Sequence, residues 1–178
     1  MNSTLNPSND IDALSALPQA EFVARFADIF EHSPWIPERA WAARPFASID
    51  ALHAAMLAVL DGAGDAEKLG LICAHPELAG KEAAAGTLTA ASTGEQRGAG
   101  LDQCSAEELA RLRSLNAAYR ERFGFPFVIA VKGLSRYQIL DAIEARLAND
   151  RDTEFRTCLA QIGRIARFRL DALAGAAR

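Results

Sequence analysis

Helix-start and helix-stop signals recur along almost the whole chain, and only one run reads as strand, so a sheet would have no second strand to pair with. Two segments have capping-box form, Ser105-Ala106-Glu107-Glu108 and Ser135-Arg136-Tyr137-Gln138, where a serine and the residue three positions on satisfy each other's backbone amides. The first predicts a helix with a stripe of Leu109, Leu112, Asn116, Tyr119 and Phe123, closed by Gly124. The second predicts a helix through Ile139, Ile143 and Leu147. Between Pro18 and Glu31, the residues Phe22, Phe26, Ile29 and Phe30 fall at helical spacing, with proline where a first turn tolerates it. Ser48 reads as the N-cap of a helix carrying Ile49, Leu52, Met56, Val59 and Leu60, ended by Gly62-Ala63-Gly64. Asp65 can cap the next, which includes Glu67 to Ala74, and a last helix from about 152 to 173 should bury Phe155, Leu159, Ile162, Ala166 and Leu173.

The exception is Phe125 to Val131, whose β-branched and aromatic residues favour extended backbone. We read it as an extended segment packed among helices. The expected fold is all-α, a single-domain helical bundle over residues 13–178, with residues 1–12, rich in Asn and Ser, expected to be loose.

A chain of 178 residues, half of them hydrophobic, is large enough to bury a sizeable core. The net charge of −4 comes from mixed charges with no basic run, which argues against a nucleic-acid partner. No apolar stretch approaches the roughly 20 residues needed to cross a bilayer. The start, Met1-Asn2-Ser3-Thr4, lacks the basic and apolar regions of a signal peptide, and Gly175-Ala176-Ala177-Arg178 is not a peroxisomal address, so a cytoplasmic protein without a membrane partner is expected. Cys73, Cys104 and Cys158 have neither metal-site nor CxxC spacing and read as buried reduced thiols; no metal site is expected.

One short region has the residues for acid/base chemistry. His75 precedes Pro76, which pushes it out of helical geometry, so the preceding helix should stop and leave the imidazole on a stiff turn. Imidazole both takes and gives a proton near neutral pH. Soon after comes Ser92-Thr93-Gly94-Glu95-Gln96, with a carboxylate, two hydroxyls and a carboxamide. Ser92 to Glu95 also has capping-box spacing, and a helix N-terminus there would offer amides to an anion. An unpaired extended segment, in turn, has backbone donors and acceptors able to read the amide edges of a flat heterocycle.

The ordered set Glu31-His32-Ser33-Pro34-Trp35, Arg44-Pro45-Phe46, His75-Pro76-Glu77-Leu78, Ser92-Thr93-Gly94-Glu95-Gln96, Ala99-Gly100-Leu101-Asp102, Leu115-Asn116, Phe123-Gly124-Phe125-Pro126-Phe127 and Arg146-Leu147 resembles the 2-oxo-4-hydroxy-4-carboxy-5-ureidoimidazoline (OHCU) decarboxylases of urate breakdown. The resemblance runs from about Leu17 into the last helix. It implies an all-helical, cofactor-free enzyme, commonly a homodimer, that converts OHCU to (S)-allantoin and carbon dioxide. It also implies that His75 is the proton donor, positioned or recharged by Glu95, and that substrate is bound by Pro76, Ser92, Thr93, Gly94, Gln96 and the segment Phe127, Val128, Ile129, Ala130 and Val131. Arg169 is the best match to a helical arginine of the family near the site; Arg164 and Arg167 read as solvated surface.

The remaining notable side chains have plainer roles. His32 and His53 are expected to be structural or solvated, Trp35 and Trp41 to pack, and Glu77 to orient His75 or face solvent. Two other readings stay open: a helical binding module that has lost turnover, and a cofactor-free lyase acting on a related ureido ring acid.

Overall fold

The computed structural model describes residues 10–175, and among these it is all-helical with no strand. Ten α-helices follow in order: α1 (Ile11–Ser15), α2 (Gln19–Phe26), α3 (Trp35–Ala40), α4 (Ile49–Asp61), α5 (Asp65–Ala74), α6 (Lys81–Ala85), α7 (Ala90–Gly98), α8 (Ala106–Phe123), α9 (Arg136–Arg146) and α10 (Arg151–Gly175). Most of the expectation that residues 1–12 are loose lies outside the described residues. Ile11 and Asp12 already belong to α1, whose cap is Asp10.

The chain packs as two compact units, one holding the residues up to Lys68 together with those from Gly163 on, the other Leu69–Ile162. The boundary falls within α5 and α10.

In the first unit, Phe22 and Phe26 of α2 are fully buried and their rings lie 4.7 Å apart, with Phe46 stacked on Phe22. Burial of each such ring contributes about 1.5–3 kcal/mol. The helix stops at Phe26, before Glu31, yet Ile29 and Phe30 are buried all the same, from turns rather than from a helix face. Ser48 caps α4 as its sequence predicts, accepting from the amide of Ala51. His53 on α4 bonds the carbonyl of Gly163, a structural role, and His32 is exposed in a left-handed turn. Trp41 is tied through its indole nitrogen to the carbonyl of Leu17.

In the second unit, both capping boxes form, at Ser105 with Glu108 and at Ser135 with Gln138. Gly124 closes α8 at φ 81°, a conformation natural only to glycine. Tyr119, Phe123, Phe125 and Phe127 form one aromatic cluster, which anchors the non-helical run after α8. That run is extended and unpaired with any strand, as expected. The cysteines depart from expectation: only Cys158 is buried, Cys104 is partly covered and Cys73 is exposed, turned outward beside the buried Ile72 of α5.

Candidate active site

The proline after His75 ends α5 at Ala74, and the imidazole is buried immediately beyond the helix end. Its Nδ1 lies 3.0 Å from the carbonyl of Leu71, one turn back. A carbonyl only accepts, so Nδ1 carries the hydrogen, and Nε2 is the nitrogen through which His75 exchanges a proton.

The chain then turns tightly from His75 to Gly80. Ala79 holds φ at 48°, a left-handed conformation that costs a residue with a Cβ about 1–2 kcal/mol. The amide of Gly80 closes on the carbonyl of Glu77, and a Cβ at position 80 would lie 2.8 Å from the Cβ of Glu77, so only glycine fits. Glu77 pairs with Arg120 of α8 at 2.7 Å, while Pro76 is half-buried.

α7 carries the second group of candidates, but it starts earlier than the capping-box spacing suggests. Thr89 is the cap, its hydroxyl accepting from the amide of Ser92, because Ala90 and Ala91 extend the helix in the N-terminal direction. Ser92 to Gln96 therefore lie inside the helix, and the box at Ser92 and Glu95 does not form. The amide of Thr93 is taken by the carbonyl of Thr89, so the backbone here is not an anion cradle; what α7 offers is side chains. Ser92, Glu95 and Gln96 share one face, where Ser92 and Gln96 are buried and Glu95 is half-buried. Thr93 returns its hydroxyl to the carbonyl of Thr89, and Gly94 sits exposed on the opposite face.

The His75 turn and α7 are brought together directly, since Gln96 Oε1 accepts from the amide of Ala79 at 2.9 Å. A hollow of about 430 Å³ lies beside them, walled by Ala79, Thr93, Gln96, Arg97, Asp102 and Arg113 among others. Its walls do not include His75 or Glu95, so it is not where those two would act together.

The segment Phe127 to Val131 is pinned from α9 and α10. Arg146 donates to the carbonyl of Val128 at 2.8 Å and lies over the Phe127 ring, and Gln161 accepts from the amide of Ala130 at 3.0 Å. The carbonyl of Val131 accepts from Leu134. Much of the backbone expected to read a ligand is thus committed within the fold. Ile129 is half-buried, its neighbours buried.

Arg146 itself belongs to a buried network. It pairs with the fully buried Glu154, which also accepts from the Tyr119 hydroxyl and from Asn149. Burial alone would raise the Glu154 carboxyl, but the bonds from Arg146, Tyr119 and Asn149 outweigh it and hold the group below the usual carboxylate range. Burial pushes the Tyr119 hydroxyl and the Cys158 thiol up, so both stay protonated.

Arg169 belongs to the first unit. It is buried, pairs with Glu31 at 2.9 Å and donates to the carbonyl of Asp28. The charge balance of this arginine is thus met in part by a carboxylate of the protein.

Asn116, Arg120 and Gln161 had no functional place in the sequence reading. The signal for Asn116 was present: it is a carboxamide at a buried position of an otherwise apolar helical stripe.

A family model described as OHCU decarboxylase matches residues 15–171. The 2-oxo-4-hydroxy-4-carboxy-5-ureidoimidazoline decarboxylase of Haloferax volcanii is 41% identical over 160 residues, covering 90% of this chain and 93% of that one. A human protein named as a putative decarboxylase of the same kind is 38% identical over 161 residues, with 90% and 93% covered. Among solved structures, (S)-allantoin synthase superposes with a TM-score of 0.71 at 30% identity; the match covers 92% of this chain and 53% of that chain, so this chain spans about half of it. An OHCU decarboxylase crystallised in the presence of (S)-allantoin has a TM-score of 0.67 over 87% of this chain at 21% identity, a likeness of fold. The chain belongs to the OHCU decarboxylase family, the carboxy-lyases of urate degradation.

Proposed function

We propose that this protein decarboxylates OHCU to (S)-allantoin without a cofactor, with His75 as proton donor and Glu95 as its supporting carboxylate. Family membership supports the reaction, and the observation that carries the mechanism is the anchoring of His75. With Nδ1 donating to Leu71, the ring has one orientation, and Nε2 is the position at which it takes up a proton, becoming imidazolium, and gives it away.

Loss of carbon dioxide leaves an electron pair on carbon. OHCU absorbs it by conjugation, because an imine adjoins the carbon that bears the carboxylate. The carbon–carbon bond breaks, its electrons pass through the new ring double bond to the imine nitrogen, and that nitrogen takes up a proton. The resulting enol then loses its hydroxyl proton as His75 Nε2 delivers one to a single ring face, and Glu95 returns a proton to the imidazole. Delivery from a fixed donor is what makes the product one enantiomer.

Pro76, Ser92 and Thr93 line the approach to His75 in this reading. Gly94 serves by leaving α7 without a side chain at that position. The segment Phe127, Val128, Ile129, Ala130 and Val131 faces the ureido group in this reading, and Arg169 is assigned to substrate binding by family resemblance alone. The homodimer follows from the family resemblance, and a cytoplasmic location belongs to the same reading. No helix among the described residues is long and apolar enough to cross a membrane.

The test is circular dichroism of freshly generated OHCU with and without the protein. The reading requires faster decay and an (S)-allantoin signal. Decay at the spontaneous rate to racemic product would refute it.

A further inference from the structure

The extended segment after α8 has no partner strand, so its backbone groups must find partners elsewhere. Two side chains supply them. Arg146 of α9 donates to the carbonyl of Val128 at 2.8 Å, and Gln161 of α10 accepts through Oε1 from the amide of Ala130 at 3.0 Å.

These bonds fall on the two peptide planes that flank Ile129. The Val128 carbonyl shares its plane with the Ile129 amide, and the Ala130 amide shares its plane with the Ile129 carbonyl. Among the described residues the only cis bond is Arg44–Pro45, so both planes are trans, and in each the N–H and the C=O point in opposite directions. The amide of Ile129 is therefore directed away from Arg146, and its carbonyl away from Gln161. Among the described residues neither group has a hydrogen-bond partner, and Ile129 is half-buried where Val128 and Ala130 are buried. One residue thus offers a donor and an acceptor together, as a residue of an antiparallel ladder does, and an amide or ureido edge carries the matching pair.

The hold on the first plane is rigid. Glu154 binds Arg146 through Nε and Nη2 while Val128 takes Nη1, so the guanidinium has one orientation. Its positive charge on the Val128 carbonyl also polarises the peptide and makes the Ile129 N–H a stronger donor. Stability alone is a weak reason for a buried ion pair, whereas aiming a peptide plane needs the fixed geometry that this pair gives.

We propose that Arg146 and Gln161 are positioning residues for substrate recognition, each holding one peptide plane beside Ile129 so that the amide and carbonyl of that residue meet a ureido edge as a fixed donor–acceptor pair. This rests on the decarboxylase reading. Both side chains act through the backbone and not on the substrate.

The test replaces Gln161 by leucine and by glutamate. Leucine occupies similar volume without an acceptor, and glutamate restores the acceptor. Gln161→Leu raises KM at least five-fold with kcat within about two-fold of wild type, and Gln161→Glu recovers most of that loss. Arg146→Lys keeps the charge but not the planar fork, and raises KM in the same way.

A second measurement is independent of turnover: nitrogen–proton correlation spectra of the protein titrated with (S)-allantoin. The Ile129 amide proton moves downfield as allantoin saturates wild type, and Q161L needs at least five-fold more allantoin for the same shift. Should R146K fail to fold, the two Gln161 variants decide alone. Unchanged KM in Q161L overturns the proposal, as does a KM in Q161E raised as far as in Q161L. An Ile129 resonance that stays in place while allantoin saturates the protein also overturns it. A wild-type protein whose Ile129 resonance moves with allantoin, yet which leaves OHCU decaying at the spontaneous rate, refutes the decarboxylase reading instead.

Discussion

Arg146 of α9 and Glu154 of α10 meet at 2.7 Å with the carboxylate fully buried, and the same guanidinium reaches the carbonyl of Val128. One ion pair thus ties two helices to the extended segment proposed to read the substrate. Glu154→Ala leaves the mostly buried Arg146 charge without its carboxylate, and should cost about 3–5 kcal/mol. Denaturant titration of the variant checks the figure.

The same pair sets an acid limit. The Glu154 carboxyl lies below its ordinary value in the fold, so the stabilisation is present above the unfolded carboxylate pKa, about 4.3, and is lost as pH falls through the lower folded value. Melting curves taken from pH 6 downward should show wild type losing stability more steeply than Glu154→Gln, which has no carboxylate at 154 to protonate. Parallel curves would remove Glu154 from the acid transition.

Gly94 occupies the middle of α7 with nothing within 4 Å of an added Cβ. Gly94→Ala should raise stability by about 0.5–1 kcal/mol, since glycine in a helix interior is the poorer former. A higher melting temperature is the expected readout. A normal melt with raised KM would place the substrate against this face of α7.

Gly80 is the reverse case. A Cβ there meets both the Cβ and the carbonyl oxygen of Glu77, 2.8 and 3.1 Å away, so the turn must move. Gly80→Ala should cost about 1–3 kcal/mol and lower kcat more than it alters KM, because the displaced turn is the one that carries His75. Steady-state kinetics beside a melting curve separate the two effects.

Gln161 supports the amide of Ala130 from α10. Gln161→Ala removes a bond worth about 0.5–1.5 kcal/mol and loosens the segment Phe127 to Val131, so KM should rise with kcat little changed. An unaltered KM would detach this segment from substrate recognition.

The helices were legible where the signal was local. Ser48, Ser105 and Ser135 cap the helices that their sequences mark, because capping depends on residues three positions apart. The end of α5 before His75 was legible for the same reason, proline acting on its immediate neighbour. α7 misled because Ser92 to Glu95 has the form of a capping box, while Thr89 is a competent cap three residues earlier and two alanines favour helix between them. Ile29 and Phe30 show that burial can follow helical spacing after the helix has ended.

The candidate site was legible as residue types but not as commitments. Gln96, Val128, Ala130 and Arg169 read as groups available to a ligand, and the fold engages each with a partner distant in sequence. Such pairings span 17 to 141 residues, beyond any periodicity or local motif. Asn116 came nearest to being found, as the polar residue on a buried stripe.

The central claim is that His75 Nε2 delivers a proton to one face of the decarboxylated ring, and it is tested most directly by following allantoin ellipticity from fresh OHCU with wild type and with His75→Ala. The account predicts a strong (S)-allantoin signal from wild type, and from the variant, still helical by far-ultraviolet dichroism, decay at the uncatalysed rate with no net ellipticity. Enantiomerically pure product formed at the wild-type rate by H75A would contradict it.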